Sequence, residues 1–163
     1  MFTWTESTGG PLLVASPNLL LKWQGVGEWL PDCDYDAACA VDGYLGVLAR
    51  HGGQVLVLAD EPMPTTFMPL GGQLVLARWM YCPSKTMAED LLTALPSRLP
   101  QLQSPLKIAH QVSAVALIDS ASKGIEALSS AGQAALPAGE YVVTTEDYAG
   151  AEFRFVVHRF TRS

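Results

Sequence analysis

The stretch YLGVLARHGGQVLVL, residues 44–58, decides the fold class. Two apolar runs, Tyr44–Leu48 and Val55–Leu58, flank Arg50-His51-Gly52-Gly53. Adjacent glycines permit the positive φ angles that a tight hairpin turn needs. The segment therefore reads as two antiparallel strands. Toward the N-terminus, Gly9-Gly10 opens a short buried strand, Pro11–Ala15. Leu19–Trp23 fits a helical turn or an extended piece equally well. Gly25–Asp34 reads as a loop, and Asp36–Val41 as a short helix or strand. Toward the C-terminus, the two prolines of residues 59–66 (ADEPMPTT) remove backbone donors, which predicts an edge or a loop. Leu74–Tyr81 is apolar on both faces and reads as a central strand.

One helix is clearly marked, about Ser84–Leu95. Thr86 and Glu89 fit a capping box, with Ser84 as a competing cap. Met87, Leu91, Ala94 and Leu95 recur at helical spacing until Pro96. Leu99–Pro105 reads as a Gln/Pro loop. Val112–Ile118 and Tyr141–Thr145 read as strands, while residues 120–130 fit either a helical turn or a loop. Glu152–Arg159 alternates, with Phe153, Phe155 and Val157 on a core face and Glu152, Arg154 and His158 on a wet one. Strands dominate and no β-α-β alternation is visible. The expectation is an α+β class, mainly antiparallel β with one clear helix, in a single domain over residues 1–163.

The composition excludes several functions. Of 163 residues, 49% are hydrophobic and 16% charged, which rules out a disordered chain. Net charge is −6. A nucleic-acid binder needs clustered cations, and so does a protein that binds an anionic membrane; neither pattern is present. The charge is concentrated. Residues 28–61 hold seven acids (Glu28, Asp32, Asp34, Asp36, Asp42, Asp60 and Glu61) against one base, Arg50, so this fifth of the chain carries the whole net charge of −6. The N-terminal residues lack the basic region of a signal peptide, and no apolar run approaches the ~20 residues of a spanning helix. Three cysteines without regular spacing argue against a disulfide framework and for a reducing cytoplasm.

Chemical motifs are few. Asp32, Asp34 and Asp36 occupy the first, third and fifth positions of a calcium loop. The sixth position is Ala37 where the turn needs Gly, and the twelfth is Gly43 where a bidentate Glu is needed. Cys33, Cys39 and Cys82 include no C-x₂-C pair, so no zinc site is expected; Cys39 and Cys82 read as buried, inert thiols. No nucleophile elbow, zinc-protease, P-loop or dinucleotide motif occurs. No metal or cofactor is expected. A small hydrolase or metal-binding enzyme would need Asp60, Glu61 and His51 to converge. A dimerising scaffold would show a large apolar patch and a two-fold contact, so a homodimer stays open. Arg78 sits on an apolar strand face and must be paired. A structural ion pair with Asp60 or Glu61 is expected. The acidic run reads as a patch that meets a basic partner. Trp29, Asp32, Asp34, Tyr35 and Asp36 are its expected contacts, because Trp is enriched at interface hot spots.

Residues 4–13, WTESTGGPLL, resemble the opening of the immunity protein 21 family of bacterial polymorphic toxin systems. The likeness continues in DYDAACAV (34–41), YLGVL (44–48), LADEPMPTTF (58–67), RW (78–79), LIDSA (117–121) and LPAGEYVV (136–143). The run D-E-P-x-P-T-T is its most specific piece. The resemblance implies a cytoplasmic, non-catalytic, mostly β protein, made beside a toxin gene, that binds and blocks the toxin. It assigns no contact residues.

Overall fold

The computed structural model describes residues 2–27 and 32–163. In chain order the elements are β1 (Leu12–Ala15), α1 (Pro17–Leu20), α2 (Asp34–Cys39), β2 (Gly46–Arg50), β3 (Gly53–Leu58), β4 (Thr65–Leu70), β5 (Gln73–Tyr81), α3 (Lys85–Thr93), β6 (Gln101–His110), β7 (Ala114–Asp119), α4 (Gly124–Ala127), β8 (Gly132–Ala135), β9 (Gly139–Ala149) and β10 (Arg154–Arg162). The strands form two five-stranded sheets, ordered β2-β3-β1-β7-β8 and β4-β5-β10-β9-β6. Neighbouring strands pair antiparallel in both.

The hairpin at residues 44–58 forms as its sequence predicts. Arg50 pairs with Gly53, leaving His51 (φ 55°) and Gly52 (φ 83°) as a two-residue turn. Two successive positive φ angles match the turn twist to the strand twist.

Three apolar clusters explain why so little of the chain is charged. Leu12, Val14, Leu56 and Leu117 of the first sheet meet Leu74, Leu76, Val143 and Phe160 of the second, so the sheets pack face to face. On the outside of the first sheet, Leu13, Val55, Val57 and Ile118 lie under Leu20, Trp23 and Ala38. On the outside of the second, Val75, Ala77, Phe155 and Val157 lie under Ala88 and Leu92 of α3. Each sheet is thus covered on both faces.

Several expectations are corrected by this arrangement. The tail strand β10 has no wet face through its middle: it is third in its sheet, and His158 is fully buried between the sheets. Gln101–His110 is a strand, not a loop. It is the edge of its sheet, and the register shifts between Gln103 and Leu106 accommodate Pro105 where no partner needs its missing N–H. The α3 helix is capped by Ser84, whose hydroxyl accepts from the Met87 N–H at 3.2 Å, so Thr86 falls inside the first turn. It is also joined by three shorter helices, α1, α2 and α4. Cys39 is exposed and Cys82 half-buried, whereas Cys33 is buried. Among the described residues no helix is long and apolar enough to cross a membrane.

Candidate functional site

The acidic segment is organised by α2, which lies across the outside of the β2–β3 hairpin with Ala38 packed near Val55, Val57 and Ala59. Its N-terminus is capped by Cys33, whose sulfur accepts from the Asp36 N–H at 3.4 Å. Asp34 and Asp36 are two apart on this helix, and residues at that spacing do not share a face. They separate accordingly. Asp36 is exposed. Asp34 is 3% exposed and accepts from the Gln24 N–H (2.7 Å), Arg50 Nε (2.7 Å) and His51 Nε2 (2.9 Å). Burial pushes the Asp34 carboxyl pKa up, but these three donors outweigh it and hold the group below its ordinary value. Asp34 is therefore not a free contact as expected; it is a structural acid that ties α2 to the hairpin turn. Asp32 is exposed, with a looser contact to Arg50 Nη1 at 3.5 Å. Tyr35 is half-buried. Trp29 lies outside the described residues.

Arg78 organises the other end of the hairpin. It is 1% exposed and faces the space between the sheets. Its expected carboxylate pair is not formed. Nη1 donates to the Tyr44 carbonyl at 2.7 Å, and Nη2 donates to the carbonyls of Ala59 (2.6 Å) and Glu61 (3.3 Å). The physical reason lies in Asp60, which holds a left-handed φ of 66°. The carbonyls on either side of it turn inward to the guanidinium, and Asp60 and Glu61 are left exposed. Burial lowers the Arg78 pKa to about 10, partly offset by the charge of Asp60. Gln103 holds the same end: its Oε1 accepts from the N–H groups of Tyr44 (2.9 Å) and Leu45 (3.2 Å), and its Nε2 donates to the Leu45 carbonyl (2.9 Å). Sequence reasoning missed Gln103, which sits in the stretch read as a loop; no local pattern marks a glutamine that clamps backbone.

The carboxylates and histidine of the hydrolase reading do not meet. His51 precedes β3 and Asp60 follows it, and a strand of six residues separates them by roughly 20 Å. A wide cleft of about 730 Å³ beside the hairpin turn includes Arg50 and His51, but Asp34 already engages both. Among the described residues no cluster of three or more His, Cys, Asp or Glu could hold a metal ion.

A smaller notch, about 180 Å³, opens beside α2 and is lined by Gly10, Tyr35, Cys39 and Asp60, among others. Outside its lining, Asp119 Oδ2 accepts from the Thr8 N–H (2.8 Å) and hydroxyl (2.6 Å), next to Gly9 and Gly10. The Cys39 thiol beside Tyr35 pushes the phenol pKa up, and burial and the charges of Asp119 and Asp36 add to this. Three separate fragments of the sequence, 4–13, 34–41 and 58–67, line this notch. They are three of the fragments that carry the family resemblance.

No match to the chain is found among curated proteins or among solved structures. The family model described as Immunity protein 21 matches residues 3–152. That span takes in all three fragments around the notch and nearly the whole of the 163 residues; the chain belongs to the immunity protein 21 family.

Proposed function

We propose that the protein neutralises a cognate bacterial toxin in the cytoplasm by binding it through the acidic segment between residues 32 and 61. One observation carries the surface assignment. Asp36, Asp42, Asp60 and Glu61 are exposed, and among the described residues none has a cation within 4 Å. The single arginine of the segment is committed to Asp34 and Asp32. The remaining charge is thus not used to hold the fold. A patch of this sign complements a basic active site of the kind that acts on anionic substrates. It raises the rate of encounter and fixes orientation. Asp32, Tyr35 and Asp36 are the proposed contacts from the acidic run, joined by Asp60 and Glu61; Asp34 supports them from behind. Co-expression with the product of the adjacent gene tests this. A variant carrying Asp32→Asn, Asp36→Asn and Glu61→Gln should keep the wild-type melting curve and lose protection. Full protection by that variant would move the interface elsewhere.

A further inference from the structure

The notch beside α2 is small, and its size restricts its ligand. At about 180 Å³ it holds roughly six waters at about 30 Å³ each. Pockets for drug-sized molecules run to roughly 300–1,000 Å³, so the occupant is nearer to one side chain.

Its walls are set by specific constraints. Gly10 is required by close approach. A Cβ on it would run into the Tyr35 ring and stand 2.9 Å from the Tyr35 hydroxyl and 3.1 Å from Ser120 Oγ. Ser120 is fully buried behind Gly10 and does not line the notch. On the opposite side, Asp60 is exposed while its backbone is held in a left-handed conformation, which non-glycine residues adopt rarely. The Arg78 bonds to the Ala59 and Glu61 carbonyls hold it there from beneath. Backbone strain kept in place by a buried cation clusters at functional positions. Among the described residues Asp60 is the one charged residue that lines the notch, and the Nη donors of Arg78 beneath it are already committed inward.

We propose that this notch receives an arginine side chain of the partner, its guanidinium paired with the Asp60 carboxylate and stacked against the Tyr35 ring. The proposal rests on the reading of the protein as a toxin-binding immunity protein and names the contact. Arginine fits better than lysine, because a planar fork matches a carboxylate with two hydrogen bonds and stacks on an aromatic face. Arg78 is then a positioning residue: it fixes the backbone that presents Asp60 and does not touch the partner.

The test needs no toxin. The wild-type protein is titrated with N-acetyl-arginine amide and, separately, with N-acetyl-citrulline amide, which has nearly the same shape and no charge. Backbone amide shifts are followed by NMR. The expected result is a saturable shift at Gly10, Tyr35 and Asp60 with the arginine compound alone. It should weaken at least tenfold in Asp60→Asn and severalfold in Tyr35→Leu. Asn tolerates the left-handed conformation, so Asp60→Asn should keep the wild-type spectrum elsewhere. Equal shifts from both compounds, or an unchanged affinity in Asp60→Asn, would overturn the proposal. Binding of the adjacent gene product, measured in parallel, separates the two readings. If that protein binds while the titration fails, only the notch falls; if arginine binds while that protein does not, only the immunity reading falls.

Discussion

Each end of the β2–β3 hairpin is held by an arginine, and the two ends place charge in opposite ways. At the turn, Asp34 is the buried member, with its side chain 4% exposed, and Arg50 reaches it from the surface at 23% exposed. The pair is direct, so the acid's charge is consumed within the fold. At the open end the arginine is buried instead, and its donors run to the carbonyls of Tyr44, Ala59 and Glu61. The acids next to it, Asp60 and Glu61, stay outside. Here the Nη donors are taken by carbonyls while Nε is left without a partner among the described residues, so the arginine anchors the loop without an ion pair and leaves the loop's carboxylates exposed. The difference uses Asp34 to hold the fold and leaves Asp60 exposed, free for the proposed partner contact, although the two look alike in the sequence.

The largest expected effect is at the open end. Arg78→Ala leaves a cavity and three carbonyls without donors, at about 1–3 kcal/mol each when fully buried, partly relieved by water. A loss of about 3–5 kcal/mol in a urea titration is expected. A loss below roughly 0.5 kcal/mol would show that the guanidinium is dispensable and the comparison misdrawn.

Next in size is the turn. Asp34→Asn keeps the shape and an acceptor for the Gln24 N–H but removes the charge facing Arg50 and His51. Hydrogen bonds to charged groups contribute about 1.5–3 kcal/mol, and Arg50 can recover part of this from water. The expected loss is about 1–3 kcal/mol. The matching change Asp60→Asn should alter stability by less than about 0.5 kcal/mol. Equal losses at the two positions would erase the distinction between the ends.

The smallest effect is a pH dependence. His158 is fully buried, with Nδ1 3.0 Å from Thr145 Oγ1. Burial, aided by the nearby Arg78 charge, holds its pKa well below 6.5. The unfolded chain therefore takes up a proton on this residue below about pH 6.5 while the folded chain does not. Stability should fall with pH from there, by at most about 1.4 kcal/mol per unit. His110, also lowered by burial, acts in the same direction. Asp34 behaves differently: its folded pKa lies below 3.8, so its contribution is present above about pH 4 and is lost only below it. His158→Leu should remove most of the slope between pH 6.5 and 5 in denaturant titrations. An unchanged slope would mean that the histidine is protonated in the folded protein.

Much of the β architecture was legible because local chemistry dictates it. His51-Gly52 between apolar runs supplies a two-residue turn, and Leu74–Tyr81 is apolar on both sides because a sheet and a helix cover it. The errors came from tertiary context. His158 alternates with core residues and so reads as solvent-facing; only the second sheet buries it. Pro105 suggests a loop unless the strand is known to be an edge. Arg78 was legible as a buried cation needing partners, but its partners are carbonyls, which every residue carries and no sequence pattern marks. The acidic run was legible as a concentration of charge. The separation of Asp34 from Asp36 followed from helical geometry once α2 was known to be a helix, and the sequence left that open.

The exposed acids of residues 32–61 are proposed to meet a basic partner. The most direct measurement is the rate of association with the adjacent gene product as salt rises from 0.1 to 1 M. Over that range the Debye length falls from about 10 Å to about 3 Å. The wild type should associate at least tenfold more slowly at high salt, and the variant with Asp32→Asn, Asp36→Asn and Glu61→Gln should start slow and respond weakly. A wild-type rate that salt leaves unchanged, equalled by the variant at low salt, would contradict the account.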